Sequence, residues 1–168
     1  MFATDEFTAR RSVFQKNLKN TDRLLWIDYG ISMDDTSLRH VVSRDWSWNG
    51  VIFPCVKEGI DWDKFRRNID SPEPVAQKAL SFDTRVDKPV KGDMWTVSYT
   101  DPKSFSVDTK PFLKNMKRVT HNLEELFTDL MKTNFKLVAF TGARLIATYP
   151  HECIGNILGA AGVKANKA

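Results

Sequence analysis

Carboxylate, histidine and cysteine side chains suited to metal binding or acid–base catalysis occur in two short groups of this sequence. Asp28, Asp34 and Asp35 are close together, and His151-Glu152-Cys153 places three ligand types in consecutive positions. A zinc-binding H-E-x-x-H helix needs a second histidine on the same face, and the sequence lacks it. Asp34 and Asp35 instead suit a helix start, where aspartate accepts hydrogen bonds from free N–H groups. The sequence therefore predicts capping aspartates and no metal site.

The other catalytic templates also fail. His40 and His121 lie on predicted helices without a recognisable nucleophile motif beside them. The C-terminal glycines are not followed by Lys-Ser/Thr, so they do not form a phosphate-binding loop. Cys55 and Cys153 lack Cys-x-x-Cys spacing, which argues against a disulfide scaffold and favours a reducing compartment. We therefore predict a protein that is not an enzyme and uses no cofactor.

The composition is that of a folded, mildly basic protein. A chain of 168 residues with 42% hydrophobic residues is enough for one compact domain. The formal charge of +4 comes from 25 basic and 21 acidic residues that are mixed along the chain. The densest basic groups are Arg10-Arg11, Arg66-Arg67 and Lys114 to Arg118, and each is predicted to be a solvated helix face. This balance suits an organelle matrix protein, a nucleic-acid binder, or neither.

Apolar spacing in the first third of the chain favours helices. A first amphipathic helix is predicted from Thr4 or Asp5 to about Asn20. The apolar run Leu24–Tyr29 is assigned to a helix turn, with a buried strand as the alternative. A short helix is predicted around Leu38 to Val42.

The longest predicted element is a helix over about 111–133. Its apolar residues recur at alternating steps of three and four, the spacing that keeps one seam facing a partner helix. Its proposed partner-binding residues are Met116, Val119, Leu123, Leu126 and Leu130. The alternative is an ordinary core helix of a bundle.

Two interpretations are open for residues 135–149, which are apolar but interrupted by Lys136 and Arg144. One is a further buried helix, and the other is a short β-hairpin turning at Thr141-Gly142. We predict a mainly α fold with irregular, aromatic-rich connections. Residues 1–150 form one helical domain with an extended long helix, and 151–168 form a tail rich in small residues.

The segment from Gly59 to Asp93 has the most complete helix signals. Asp61 is a predicted cap, and Trp62, Phe65 and Ile69 then fall at i, i+3 and i+7 on one face. This apolar stripe is a second candidate partner-binding surface. Ser71 followed by Pro72 predicts the start of another short helix.

This segment resembles the mitochondrial ATP synthase subunit d family, a non-catalytic component of the peripheral stalk. The matching positions are Ile60, Asp61, Trp62, Phe65, Val75, Lys88, Pro89, Val90 and Lys91. The resemblance covers about a fifth of the chain, and Trp95 to Lys110 looks like an insertion relative to the family. It implies a helical stator subunit that is bound to other subunits on the matrix side of the inner membrane and does not span it. It implies no small-molecule substrate.

The expected function is therefore that of a non-catalytic structural subunit in a large multiprotein assembly. One alternative is a structural component of another assembly, such as a virion. The other is a small basic nucleic-acid-binding protein, in which aromatic residues between cations stack on bases. Trp62 to Arg67 is the best candidate for such stacking, although Asp61, Asp63 and Asp70 would repel phosphate.

Overall fold

A mixed six-stranded sheet is the central element of this protein. The structure is a computed structural model that describes residues 23–28, 30–42, 47–57, 61–72, 78–116, 120, 122–142 and 146–147. The strands of these residues are β1 (Arg23–Ile27), β2 (Ile31–Ser32), β3 (Gly50–Ile52), β4 (Thr84–Lys91), β5 (Met94–Thr100), β6 (Ser104–Asp108), β7 (Leu137–Phe140) and β8 (Ile146–Ala147). The helices are α1 (Asp35–Val42), α2 (Trp62–Arg67), α3 (Thr109–Asn115) and α4 (Leu123–Met131).

The large sheet has the strand order β1-β6-β3-β7-β5-β4. Only β3 and β7 run parallel within it, and the other neighbours are antiparallel. β2 and β8 form a separate antiparallel pair. β4 and β5 are joined by a tight turn at Gly92, whose φ of 56° is a conformation that glycine adopts without strain. Because β4 stands last in this strand order, it is an edge strand, and seven of its eight residues are exposed.

Alternating side chains of the sheet supply two apolar cores, one on each face. Ile52, Phe105 and Ala139 point to the face covered by α3 and α4. Val51 and Val138 point to the opposite face, where Val41 of α1 joins them. This is the period of two that a strand imposes, because successive side chains leave opposite faces of the backbone. The sheet is therefore buried on both sides near its centre.

Close packing at the centre of the sheet requires a glycine at the start of β3. A Cβ atom at Gly50 would lie 2.9 Å from the Phe135 ring and 3.0 Å from Val107. Both neighbours belong to the buried core. A larger residue would therefore force the strand away from its neighbours.

The predicted mainly α fold is wrong, because the described residues form a large sheet with four short helices. The run that begins at Leu24 is strand β1, and residues 137–140 form strand β7 between β3 and β5. A short apolar run is compatible with a buried strand as well as with a helix turn. Here the runs form strands, because neighbouring strands pair with them. The helix around Leu38 to Val42 is confirmed as α1.

The predicted long helix over 111–133 is also wrong, because two helices with a break between them occupy this region. α3 ends with Met116 as its C-cap, and α4 begins after Asn122, whose side chain accepts a hydrogen bond from the Glu125 amide at 2.8 Å. The break allows apolar residues of both helices to pack into one core cluster with residues of the sheet. A single straight helix would instead present its apolar residues along one line.

Several predictions fall outside the described residues. These are the first helix up to Asn20, the helix after Ser71-Pro72 and the tail over 151–168. Within the described part of the chain, no helix has the length and apolar character needed to cross a membrane.

Candidate functional site

A cleft of about 540 Å³ opens between α2 and the β4–β5 edge of the sheet. Its lining contains four cationic side chains, those of Lys57, Lys64, Arg67 and Arg85. One carboxylate, that of Asp61, and two aromatic rings, Phe82 and Tyr99, also line it. The formal charge of the lining is therefore +3. A concave surface with this charge is suited to bind an anion.

Backbone hydrogen bonds bring the distant parts of the cleft together. The segment that follows β3 pairs with the segment that precedes β4 through an isolated bridge between Val56 and Phe82. The Lys57 amide donates to the Ser81 carbonyl at 2.7 Å, which fixes one wall. Lys57 and Arg85, separated by 28 positions in the sequence, thereby line the same cleft.

Behind this wall, the buried Asp83 side chain holds three segments of the chain in place by hydrogen bonds. Its carboxylate accepts hydrogen bonds from the Cys55 amide at 3.0 Å, the Thr84 hydroxyl at 2.9 Å and the Lys103 amide at 3.2 Å. Burial raises the pKa of Asp83 above its usual value, although these hydrogen bonds act in the opposite direction. Asp83 therefore connects three chain segments by hydrogen bonds, although burial of its carboxylate disfavours the charged form.

The other wall is α2, which forms where the sequence predicts it. Asp61 caps the helix by accepting from the Lys64 amide at 2.8 Å, and its second oxygen accepts from the Ser81 hydroxyl at 3.0 Å. The Lys64 amide is the largest cause, and the Ser81 hydroxyl the next, of a pKa for Asp61 below its usual value. The capping prediction is confirmed, and both Asp61 oxygens are engaged by donors of the protein.

Three of the cleft cations form no ion pair with the described residues: Lys57, Arg67 and Arg85. Lys64 differs, because its ammonium group donates a hydrogen bond to the Leu80 carbonyl. This bond connects α2 to the segment that precedes β4. The Asp61 carboxylate lies near Arg67, but two other donors already occupy it. The three cations are therefore the groups of the cleft that can bind an incoming anion.

The ring of Tyr99 lies close to two of the cleft cations. Lys57 lies 6.0 Å and Arg85 5.3 Å from the ring centroid, within the range of cation–π attraction. Burial raises the pKa of the Tyr99 phenol, and the charges of Glu124 and Asp101 raise it further. With its pKa raised, the phenol stays protonated at neutral pH.

The predicted partner-binding stripe lies only partly on α2, because the helix ends at Arg67 and Ile69 follows it. Trp62 is 61% exposed and Ile69 is 56% exposed, whereas Phe65 is half-buried. The Trp62 and Phe65 rings meet edge to face, with their centroids 6.1 Å apart. The binding of a partner by these three residues stays a prediction.

The other predicted partner-binding residues occupy a different environment. Met116, Leu126 and Leu130 are buried in the core between the sheet and the two helices, and Leu123 packs against this core. Val119 lies outside the described residues. The four described residues therefore already make their apolar contacts within this chain.

Two candidate catalytic residues in the described part of the chain, Asp34 and His40, make structural contacts. The Asp34 carboxylate accepts from the Ser37 amide at 3.0 Å and from its hydroxyl at 2.7 Å, as predicted for a helix cap. His40 packs against the Phe140 ring, with the ring centroids 4.1 Å apart. Among the residues that the structure describes, no group of three potential ligands could hold a metal ion. His121 and His151-Glu152-Cys153 lie outside those residues.

Sequence analysis missed four important residues of the cleft: Lys57, Phe82, Arg85 and Tyr99. They stand singly among neutral or oppositely charged neighbours, so no local motif marks them. The local signal that was present is the tendency of the segments around them to form β-strands. The alternation of Trp95-Thr96-Val97-Ser98-Tyr99 is typical of a strand and would have placed Tyr99 on a sheet.

The fold and the cleft define a mixed α/β protein with a cationic cleft at one edge of its sheet. Comparison with protein-family models, with curated proteins and with solved structures finds no match for the chain. The resemblance to subunit d therefore stays a prediction. The helical architecture that it implied is wrong, because Lys88 to Lys91 belong to strand β4 rather than to a turn after a helix.

Proposed function

We propose that this chain is a non-catalytic binding protein whose cleft holds the phosphate groups of an anionic ligand. The observation that carries the proposal is the convergence of Lys57, Arg67 and Arg85, which come from three separate parts of the chain. Like charges repel one another, so their grouping lowers stability unless an anion lies between them. A phosphate-bearing ligand would remove this repulsion and gain charge-assisted hydrogen bonds.

The dimensions and chemistry of the cleft favour a ligand with more than one phosphate. Its volume of about 540 Å³ is in the range of pockets that hold organic ligands and exceeds the size of a single phosphate. The two guanidinium groups, of Arg67 and Arg85, suit the planar, two-point binding of phosphate oxygens. Lys57 adds a point charge. The formal charge of +4 on the chain also attracts anions from solution.

Binding of a labelled abasic deoxyribose-phosphate oligomer tests this proposal, because the probe carries phosphates without bases. We expect fluorescence anisotropy to give a binding constant whose logarithm falls linearly with the logarithm of salt concentration. The variant Lys57→Gln/Arg67→Gln/Arg85→Gln should reduce the magnitude of this slope by about 2, since each phosphate contact of a single strand contributes about 0.7.

A matched control removes the same number of charges elsewhere. The variant Arg66→Gln/Lys132→Gln/Lys136→Gln changes three exposed cations that do not line the cleft. This variant should keep the salt slope and most of the affinity. An equal loss in the two variants, or no binding by the unmodified protein, would contradict the proposal.

A second candidate function is that of a non-catalytic subunit in a larger assembly. It is supported by the exposed Trp62 and Ile69, since α2 contributes no buried residue to the protein's own core. Large apolar side chains on a surface commonly mark protein contacts. The peripheral stalk of ATP synthase is not proposed as that assembly, because the expected helical architecture is not observed.

Purification of the tagged chain from its natural source tests this second candidate. A partner that binds through α2 should co-purify in fixed stoichiometry and be lost from the variant Trp62→Ser/Ile69→Ser. The control Val86→Ser/Val90→Ser removes exposed apolar side chains from β4 and should retain the partner. Retention by both variants would exclude the surface of α2 as the binding site.

A further inference from the structure

An exposed aromatic ring lies among the cations of the cleft. Phe82 is 47% exposed, although an apolar ring of its size is stabilised by burial. Its backbone pairs with Val56, and the residues on both sides of it are hydrogen-bonded to the same opposing segment. The ring is therefore carried by a fixed backbone, and its position does not depend on a flexible loop.

The two aromatic residues of the cleft are used differently. The Tyr99 ring already has Lys57 and Arg85 near it. No ring or cation contact of this kind is formed by Phe82 with the residues that the structure describes. Phe82 is therefore the ring of the cleft on which a flat ligand group can stack.

Phosphate-binding cations beside a free aromatic ring fit a ligand that combines phosphate groups with flat bases. Single-stranded nucleic acid presents phosphates at regular intervals together with unpaired bases, which stack on aromatic side chains. In a duplex the bases are stacked on one another and their faces are closed to a protein ring. A polyphosphate without bases would leave Phe82 without a partner.

We propose that the cleft binds a single-stranded segment of nucleic acid, with one base stacked on Phe82 and the neighbouring phosphates held by Lys57, Arg67 and Arg85. This inference rests on the proposed phosphate-binding function and adds the chemical class of the ligand. It moves the stacking site from the predicted Trp62–Arg67 segment to a residue on the opposite wall of the cleft. Of that segment, only Lys64 and Arg67 line the cleft.

The test compares three labelled probes of about 12 nucleotides, a length within the site sizes of single-strand binders. The probes are a thymidine oligomer, the abasic oligomer and a thymidine–adenosine duplex. We expect the thymidine oligomer to bind about tenfold more tightly than the abasic oligomer, because stacking of a base contributes about that factor. The duplex should bind no more tightly than the abasic oligomer.

Variants at Phe82 connect this gain to the ring. Phe82→Leu keeps an apolar side chain without a ring, so the thymidine oligomer should bind about tenfold more weakly, while abasic binding stays unchanged. Phe82→Tyr keeps the ring and should retain the gain, which excludes loss of folding as the cause. Trp62→Leu removes a ring of comparable exposure that does not line the cleft, and should have no effect.

The outcomes separate this inference from the function on which it rests. Equal affinities for the thymidine and abasic oligomers, or a gain that survives in Phe82→Leu, would overturn the inference and leave phosphate binding intact. A gain lost in Trp62→Leu instead would also overturn it. Failure of every probe to bind would remove the proposed function itself.

Discussion

Asp83 shows how one buried side chain determines the shape of the cleft. Its carboxylate joins the segment after β3, the start of β4 and the turn before β6 by three hydrogen bonds. Because burial raises its pKa, the ionised form is disfavoured in the folded chain. Its contribution to stability is therefore greatest below the usual value of 3.8 and decreases as the pH rises through the pKa of the folded state.

Replacement of Asp83 by alanine should destabilise the protein. The change leaves three donors without this acceptor in a buried place, and we expect the free energy of unfolding to fall by roughly 3 kcal/mol. Urea unfolding followed by circular dichroism measures the change. Asp87→Ala removes an exposed carboxylate of β4, the strand that follows Asp83, and should change stability by less than about 0.5 kcal/mol. Similar values for the two variants would contradict the structural role of Asp83.

Cys55 should behave as a protected thiol whose ionisation opposes folding. Burial, followed by the charge of Asp83, raises its pKa from 9.0 to about 11. The unfolded chain therefore loses this proton first, so its contribution to stability is full below pH 9 and decreases as the pH rises toward 11. We expect the urea midpoint of the Cys153→Ser variant to fall more steeply between pH 8 and pH 10 than that of the Cys55→Ala/Cys153→Ser variant.

The reactivity of Cys55 gives an independent check. Since the thiol is buried and protonated, Ellman's reagent at pH 8 should react about 100-fold more slowly with the native protein than with the unfolded protein. Equal rates in the two states would show that the segment after β3 is open in solution.

Among the secondary-structure elements, the pair α3 and α4 shows why a helical spacing does not imply a long helix. The alternating steps of three and four are real, and the described residues that carry them pack into one core cluster. The first helix ends before Met116, and Asn122 starts a new one, with Glu125 three positions later. This spacing is a recognised helix-start signal, and it was available in the sequence.

The cap of α4 can be tested directly. Asn122→Ala removes the acceptor for the Glu125 amide, so we expect the free energy of unfolding to fall by about 1 kcal/mol. Asn122→Asp retains an acceptor beside the first turn and should keep most of the stability. Thermal unfolding of the three proteins measures both effects. An unchanged midpoint in Asn122→Ala would indicate that α4 does not begin at this residue.

For the whole molecule, the apolar side chains divide into a buried set and an exposed set. Leu130 is 1% exposed beneath the sheet, whereas Trp62 is 61% exposed on α2. We expect Leu130→Ala to lower the free energy of unfolding by about 2–5 kcal/mol, because it leaves a cavity. Trp62→Ala should change it by less than about 1 kcal/mol. Urea unfolding of both variants separates core residues from candidate docking residues.

The reverse ranking of these two variants would contradict the structure. A large loss for Trp62→Ala would place this ring in the core, and an unchanged Leu130→Ala would mean that α4 does not pack on the sheet. The comparison is therefore a test of which predicted partner-binding residues remain available to a partner.

Short-range signals in the sequence determined the local features of this protein. The cap at Asp61 and the capping role of Asp34 are interactions within one helical turn, and the structure contains both of them. The predicted apolar stripe is formed only in part, because the helix ends at Arg67, before Ile69. The alternation in Ser104-Phe105-Ser106-Val107 was equally local and predicts a strand. The resemblance to a helical family treats this segment as an insertion and predicts no strand there.

Only the tertiary structure decided the sheet and the cleft. A short apolar run satisfies its backbone groups equally well as a helix turn or as a strand, and the choice depends on whether other strands lie beside it. Lys57, Arg67 and Arg85 likewise have no local relation to one another. They meet because pairing of Val56 with Phe82 closes the chain between them, and such long-range contacts leave no periodic trace in the sequence.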